Sequence, residues 1–201
     1  QTGRRSSTRD RILATATELF LDEGYASTSL ERVADSAGVT KPTVYSHFDS
    51  KRGLFDAVVE NNTRRRAERL QEVLTASGNV QKDLERFGDL FLERVLSREA
   101  RRWDRLAAAE SLANPEVGEA FYMAGPARVL KALTQYLKSQ VAAGHLQVLH
   151  PARAAEQLVG MLLGLDLLRT QIGQPSPSAA YRKRRCREAV DMFLKAYGSE
   201  T

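Results

Sequence analysis

Apolar residues recur every three or four positions through nearly the whole 201-residue chain, and this spacing limits the fold more than any other feature. In residues 8–22, for example, Ile12, Leu13, Ala16 and Phe20 share one face of a helix, because positions three and four apart are neighbours on a helix surface. We find no convincing stretch that alternates apolar and polar residues, as a half-buried strand does. The sequence therefore predicts an all-α chain.

Glycine, proline and capping residues divide this pattern into nine predicted helices. Gly24, Gly38 and Gly144 are natural helix ends, whereas Thr40 and Ser50 are natural N-caps. The predicted helices cover 8–22, 29–36, 40–46, 51–76, 80–96, 99–112, 115–144 with an interruption at Gly125 and Pro126, 151–172 and 178–196.

Bulk composition narrows the class of protein less than the periodicity does. The net charge of +5 is spread almost evenly along the chain, so that charge alone is weak support for nucleic-acid binding. One cysteine excludes an internal disulfide and a cysteine zinc site. No apolar run reaches the ~18 residues of a membrane span. We expect a cytoplasmic chain without a membrane partner, divided into domains over 6–66 and 67–201.

Residues 30–45 have the spacing of a helix-turn-helix. Ala34 is small where the two helices would cross, and Gly38 can adopt the left-handed turn conformation. The second helix is too short to be stable alone in water, so Val39 and Val44 must hold it on the first. Its free side then carries donors and a methyl group that suit a major groove and its phosphates: Thr40, Lys41, Thr43, Tyr45 and, just beyond, His47.

These segments resemble the TetR family of bacterial regulators. The resemblance covers residues 6–66 and implies a three-helix DNA-binding domain followed by a helical domain for ligand binding and dimerisation. Beyond it, the number and lengths of the helices match, and a stretch over 121–128 is similar to one regulatory-domain subtype. The matching residues are Ile12-Leu13, Ala16, Phe20, Gly24-Tyr25, Thr28-Ser29-Leu30, Val33-Ala34-x-x-Ala37-Gly38-Val39-Thr40-Lys41 and Thr43-Val44-Tyr45-x-His47-Phe48-x-Ser50-Lys51.

The resemblance implies which side chains bind DNA. Lys41 and Thr43 would face base edges, whereas Tyr45 and His47 would reach phosphates. Ser29 at the start of the second helix and Lys51 at the start of the fourth would contact phosphates with help from the helix dipole. The complete predicted set is Ser29, Thr40, Lys41, Pro42, Thr43, Tyr45, His47 and Lys51.

Two positions depart from what the family resemblance leads us to expect. Pro42 stands where many members have glycine, and Glu31 stands on the DNA-facing helix where some members have a basic reader. A carboxylate cannot attract a phosphate but can accept from a cytosine amine, so the role of Glu31 stays open. A basic arm precedes the first helix and consists of Arg4, Arg5, Arg9 and Arg11. It either enters a minor groove, lies on phosphates or is a solvated, disordered terminus.

The second half offers a dimer interface and an effector site. A helix-turn-helix usually reads two half-sites with two copies, and the resemblance implies a seam formed by the helices over 151–172 and 178–196, where Gly160 and Gly164 permit close approach. Some of the apolar side chains are ordinary core, and Arg169 has a simple ion-pair partner in Asp166. The candidate lining of a cavity for a small, largely apolar effector is Phe87, Phe91, Trp103, Phe121, Tyr122, Arg128, Met161 and Leu165.

Two features near the C-terminus have plain explanations. The basic cluster over 182–187 is best read as a solvated helix face. Cys186 is either a redox sensor, favoured by the nearby positive charge, or an inert thiol, which is the stronger interpretation.

We find no nucleophile motif, metal-ligand spacing or phosphate-cradling loop, and so expect no enzyme, cofactor or metal. The leading hypothesis is a homodimeric repressor that binds palindromic operator DNA through residues 29–48 and is released by a small-molecule inducer. The alternatives are a DNA-binding protein without an inducer, which a filled core would favour, and an enzyme with an incidental helix-turn-helix.

Overall fold

A computed structural model describes residues 7–74 and 77–199, without the side chains of residues 64–69 and 71. This part of the chain is helical, with no β-strand and one isolated bridge between Leu146 and Gly198. The all-α prediction is therefore confirmed. The helices are α1 (Thr8–Glu23), α2 (Leu30–Ala37), α3 (Lys41–His47), α4 (Lys51–Val73), α5 (Val80–Val95), α6 (Arg98–Glu110), α7 (Pro115–Ala124), α8 (Pro126–Ala142), α9 (Pro151–Leu163), α10 (Asp166–Gln171) and α11 (Ala179–Tyr197).

The described residues form eleven helices, whereas the sequence predicted nine. The expected interruption at Gly125 and Pro126 is complete and separates α7 from α8, because a proline has no N–H for the preceding turn. The second difference lies at Gly164, where φ of +46° ends α9 and a new helix, α10, follows. The close approach at Gly164 is made by the guanidinium of Arg185, which leaves no room for a Cβ.

The chain divides into two compact units, which differ from the predicted domains in one segment. The first unit contains residues 1–65 and 102–124, and the second contains 66–101 and 125–201. Residues 102–124 lie with the first unit because Trp103 of α6 and other apolar residues of this segment are buried in its core.

The core of the first unit is built around three aromatic rings. Phe20, Tyr25 and Phe55 contact one another with ring centroids 4.9 to 5.8 Å apart. On its surface, Arg102 joins α6 to α1 through ion pairs with Glu18 at 3.3 Å and Asp22 at 2.7 Å. Residues 102–106 of α6 are therefore held in this unit both by the burial of Trp103 and Leu106 and by the ion pairs of Arg102.

The second unit packs α5, α8, α9 and α11 around a separate apolar core that includes Phe87 and Phe193. Two carboxylates among the described residues of this unit are buried, those of Asp83 and Asp166. Asp83 accepts from Ser77 Oγ at 2.6 Å, Tyr136 Oη at 3.0 Å and Arg86 Nη2 at 2.8 Å. Burial alone would raise the pKa of Asp83, but these donors lower it below its usual value. The charge is therefore stable inside the unit because its oxygens are hydrogen-bonded.

Among the residues that the structure describes, no helix combines the length and the apolar character that a membrane crossing needs.

Candidate nucleic-acid interface

The turn between α2 and α3 depends on the conformation of Gly38. Its φ of +63° and ψ of +41° are left-handed helical, and its N–H caps the end of α2. A Cβ at this position would meet no atom within 4 Å, so the backbone conformation and not the available space favours glycine here. Val39 then donates its N–H to the Ala34 carbonyl at 3.0 Å, which closes the turn.

Helix α3 is short and is held by few contacts. Thr40 caps its start, accepting from the N–H of Thr43 at 3.4 Å, and Pro42 lies in the first turn, where its missing N–H is not needed. Val44 is completely buried and Phe48, just after the helix, is 4% exposed. Because seven residues do not form a stable helix alone, these two side chains keep α3 in place.

The opposite face of α3 is open to solvent. Lys41, Tyr45 and His47 are exposed, and Thr43 is half-buried with its hydroxyl 2.8 Å from that of Thr40. Ser29 is exposed and caps α2 by accepting from the Arg32 N–H at 3.1 Å. The structure therefore brings the predicted residues of α3 together on one accessible surface.

Lys41 is not an isolated cation on this surface. Its ammonium forms an ion pair with Glu31 of α2 and lies 5.7 Å from the centroid of the Tyr45 ring. The hydrogen bond with Glu31 raises the pKa of Lys41, and the same hydrogen bond lowers the pKa of Glu31. Sequence reasoning singled out both residues but missed the pair, since only the angle between α2 and α3 places them side by side.

Lys51, the first residue of α4, is held inside the first unit. Its Nζ donates to the Ala26 carbonyl at 2.9 Å and lies 4.6 Å from the centroid of the Tyr25 ring. Partial burial lowers the pKa of Lys51. An ammonium has three N–H donors, so that the bond to Ala26 leaves donors for the phosphate contact that the sequence predicts.

Sequence reasoning missed Glu110, which organises the turn that holds Lys51. Glu110 Oε1 accepts from the backbone N–H groups of Tyr25 at 2.9 Å and Ala26 at 3.3 Å, and Oε2 accepts from Asn114 Nδ2 at 3.2 Å. The residues involved are about 85 positions apart, and no local pattern signals such a contact.

The basic arm is described only in part. Arg4 and Arg5 lie outside the described residues, whereas Arg9 and Arg11 are exposed on α1. The guanidinium of Arg9 lies 5.4 Å from the centroid of the Phe48 ring, at the end of α3. Arg9 is therefore attached to the helix-turn-helix, while a DNA contact by the arm stays a prediction.

Two family models match the chain. One describes bacterial regulatory proteins of the TetR family and matches residues 12–58, which contain α2, α3 and the start of α4. The other describes the C-terminal domain of AefR-like transcriptional repressors and matches residues 82–199. The chain belongs to the TetR family of bacterial transcriptional regulators. Membership makes it a DNA-binding regulator rather than an enzyme.

Relatives in the TetR family match both the whole chain and its first part. The regulator YvkB of Bacillus subtilis is 26% identical over 96% of this chain and 98% of its own length. The transcriptional activator FasR of Mycolicibacterium smegmatis is 41% identical, but over 29% of this chain and 26% of its own length.

Solved structures of TetR regulators have the same fold. The flavonoid-responsive regulator FrrA superposes with a TM-score of 0.85 at 28% identity, covering 96% of this chain and 98% of its own. A complex of SmeT with triclosan has a TM-score of 0.71 at 26% identity, covering 96% of this chain and 92% of its own.

The predicted effector-site residues are divided between the two units. Phe87 and Phe91 stack in the core of the second unit with ring centroids 5.6 Å apart, and Met161 is partly buried against that core. Trp103 and Phe121 belong to the first unit, Trp103 being buried and Phe121 partly so. The remaining three residues are exposed: Tyr122, Arg128 and Leu165. Separately, Arg169 forms the expected ion pair with Asp166 at 3.3 Å.

The helices predicted to form a dimer have two different apolar faces. Leu158 and Leu162 are buried in the second unit. Four other large apolar side chains in the described residues 151–199 have more than half of their surface exposed. Leu168 lies on α10, Leu165 and Ile172 lie on either side of α10, and Met192 lies on α11. A surface groove lies between α9 and α11 and is lined by Gln157, Gly160, Met161, Met192, Phe193, Ala196 and Tyr197.

Cys186 is an inert thiol in this fold. It is 2% exposed, and its Sγ donates to the Glu85 carbonyl at 3.2 Å. Burial raises the pKa of Cys186 to about 12, which leaves almost no thiolate at neutral pH, and the thiolate is the form that oxidants attack. Within the neighbouring basic cluster, Lys183, Arg184 and Arg187 are exposed, whereas Arg182 and Arg185 are half-buried. Arg185 donates to the Leu162 carbonyl at 3.1 Å, so the prediction of a solvated face is correct for only part of the cluster.

Proposed function

We propose that this TetR-family regulator is a homodimeric repressor that binds a palindromic operator and is released by a small, largely apolar inducer. The observation that carries this proposal is the exposed face of α3, fixed on α2 by Gly38 and Val44. In helix-turn-helix proteins the second helix enters the major groove and presents such a face to base edges.

The side chains of this face have separable tasks. Lys41 and Thr43 are assigned to base edges, and Tyr45 and His47 to phosphates. Ser29 and Lys51, at the starts of α2 and α4, are assigned to the flanking phosphates, where the backbone N–H groups of a helix start favour an anion.

A second copy of the chain completes the operator reader, because one α3 covers only one half-site. The exposed apolar residues around α10 and α11 support a two-fold interface between second units, since exposed apolar patches of this kind mark protein interfaces. We place the dimer in the cytoplasm, because it is proposed to regulate bacterial DNA.

The effector is proposed from the relatives. FrrA is named as responsive to flavonoids, and SmeT was solved with triclosan bound, so that both are associated with aromatic, largely apolar molecules. An inducer releases DNA only if it binds the DNA-free state better than the DNA-bound state. We therefore expect DNA to weaken inducer binding by the same factor as the inducer weakens DNA binding.

Activation is the second candidate. FasR is named an activator, but its 41% identity to this chain extends over only 58 residues, which are 29% of the chain. The match to AefR-like repressors covers residues 82–199, where the response to an effector is expected to arise, and it favours repression. A transcription assay with the promoter of the bound site distinguishes the two, since a repressor lowers transcript yield and an activator raises it.

The decisive experiment selects duplexes with the wild-type chain from a randomised pool and measures affinity by fluorescence anisotropy. We expect an inverted repeat and a steep loss of affinity between 50 and 200 mM salt, as phosphate contacts produce. Lys41→Ala combined with Tyr45→Ala should abolish binding and leave the dimer intact by light scattering. Lys82→Ala with Lys138→Ala, both exposed in the second unit, is the control. Retained affinity in the first variant would refute the assigned reading face.

The inducer is tested on the selected duplex with flavonoids and with triclosan as probes. Release of DNA by either one supports induction. Binding of a probe without any change in DNA affinity would instead favour a regulator without an inducer of this class.

A further inference from the structure

The proposed base-reading surface contains a carboxylate beside its main cation. Glu31 lies in the first turn of α2 and pairs with Lys41, the first residue of α3. The side chains are both about half exposed, at 50% for Glu31 and 51% for Lys41. Exposed ion pairs contribute little to stability, so packing alone does not explain an acid at this position.

The pair changes what Lys41 can do on DNA. A lone lysine at a groove is attracted to any phosphate, whatever the sequence. Here the ammonium lies between the Glu31 carboxylate and the Tyr45 ring, and its charge is balanced before DNA arrives. Held in this way, Lys41 gains little from a phosphate and is directed towards base edges.

Together the two side chains present an acceptor directly beside a donor. In the major groove a G·C pair shows the acceptors O6 and N7 of guanine beside the N4 amine donor of cytosine. An ammonium fits the two guanine acceptors, and a carboxylate fits the cytosine amine. An A·T pair places the adenine amine between two acceptors and adds a thymine methyl group, which matches the pair less well.

We propose that Glu31 and Lys41 act as one composite reader of a single C·G base pair in each half-site, with Lys41 donating to guanine and Glu31 accepting from cytosine. Glu31 is then a specificity-determining residue that also disfavours A·T pairs, because the acceptors on both sides of the adenine amine would lie beside its carboxylate. This inference rests on the proposed operator binding by the face of α3.

The test compares base preference among variants, using duplexes selected by the wild-type chain from a randomised inverted-repeat pool. We expect one C·G pair per half-site whose replacement by T·A weakens wild-type binding about tenfold, the usual size of one good base contact. In Glu31→Ala this preference should fall below about threefold, while affinity for the T·A duplex stays equal or rises, since a negative charge has been removed.

Glu31→Gln gives a second, independent outcome. An amide pairs with adenine N6 and N7, so that selection with this variant should move the same position from C·G towards A·T. Because Lys41 loses its partner, the dependence of binding on salt should become steeper by about one phosphate contact in both variants.

Glu18→Gln is the matched control, because Glu18 is also an exposed, ion-paired carboxylate of the first unit, paired with Arg102. It should keep the wild-type preference and salt dependence. The inference is overturned if Glu31→Ala keeps the tenfold preference, or if it weakens all duplexes equally. A wild-type chain that selects no inverted repeat would instead refute the proposed function itself.

Discussion

At the scale of single residues, the exposed face of α3 depends on the conformation of Gly38, on the buried side chain of Val44 and on the ion pair of Glu31 with Lys41. Gly38 and Val44 were predictable because a tight turn needs a left-handed residue and a short helix needs an anchor. The ion pair of Glu31 with Lys41 was not, since it depends on the angle between α2 and α3. Nor was the division of the predicted effector residues between the two units predictable, because helical spacing cannot distinguish core from cavity.

Gly38→Ala should destabilise the first unit by about 1–2 kcal/mol, because an L side chain strains the left-handed backbone. Urea unfolding at neutral pH measures this loss, and DNA affinity should fall with it as α3 loses its position. Gly53→Ala serves as the control, because Gly53 is helical and its added Cβ would make an ordinary 3.5 Å contact with Ser50 Oγ. Equal stability of Gly38→Ala and wild type would show that the turn tolerates a Cβ.

Asp104 gives the chain a pH-dependent weakness. Burial raises the pKa of Asp104 to about 6, whereas the unfolded value is near 3.9. Both states bind the proton below pH 4, so the cost appears only as pH rises towards 6 and is complete above it. Asp104→Asn should therefore stabilise the protein by about 1–2 kcal/mol at pH 7.5, after allowance for solvent screening.

The measurement for Asp104 is urea unfolding of wild type and Asp104→Asn at pH 4 and pH 7.5. The two proteins should have nearly equal stability at pH 4. A difference that is the same at both pH values would contradict the assignment, because it would then not arise from ionisation of the carboxyl group.

At the scale of elements, helix starts and stops were predictable where capping chemistry is local. The first three helices were predicted within one residue at each end, because Thr40, Gly24 and Gly38 mark the bounds directly. The end of α9 at Gly164 was not predictable, since a glycine inside an apolar helical pattern can either continue the helix or end it. The packing of residues 102–124 into the first unit also escaped prediction, because it rests on contacts distant in sequence.

Substitution of Glu110, the last residue of α6, tests whether this helix stabilises the turn after α1. Glu110→Ala removes the acceptor of the Tyr25 and Ala26 N–H groups, and an unsatisfied, partly buried donor costs about 1–3 kcal/mol. We expect lower stability by urea unfolding and weaker DNA binding, because the Ala26 carbonyl holds Lys51. Glu119→Ala, an exposed acid on α7 of the same unit, is the control. Full stability and full DNA affinity in Glu110→Ala would show that the turn needs no such acceptor.

At the scale of the whole molecule, membership of the TetR family connects two features of the described residues. One is a base-reading face in the first unit, and the other is an exposed apolar surface in the second. In the proposed function a single α3 covers half of a palindrome, so the proposed affinity for the complete operator depends on whether that apolar surface binds a second copy. The oligomeric state is therefore the property that converts local chemistry into operator recognition.

Leu168→Glu places a charge in the exposed apolar surface, where Leu168 has 54% of its surface accessible in one chain. Burying an unpaired carboxylate against a second copy is strongly unfavourable, so the variant should be monomeric by light scattering and should lose at least tenfold in affinity for an inverted repeat. Leu149→Glu is the matched control, because Leu149 is 86% exposed in the turn before α9 and should leave a dimer. A Leu168→Glu variant that stays dimeric would locate the interface elsewhere. A monomer with undiminished operator affinity would contradict the two-copy reader itself, since each half-site would then be bound independently.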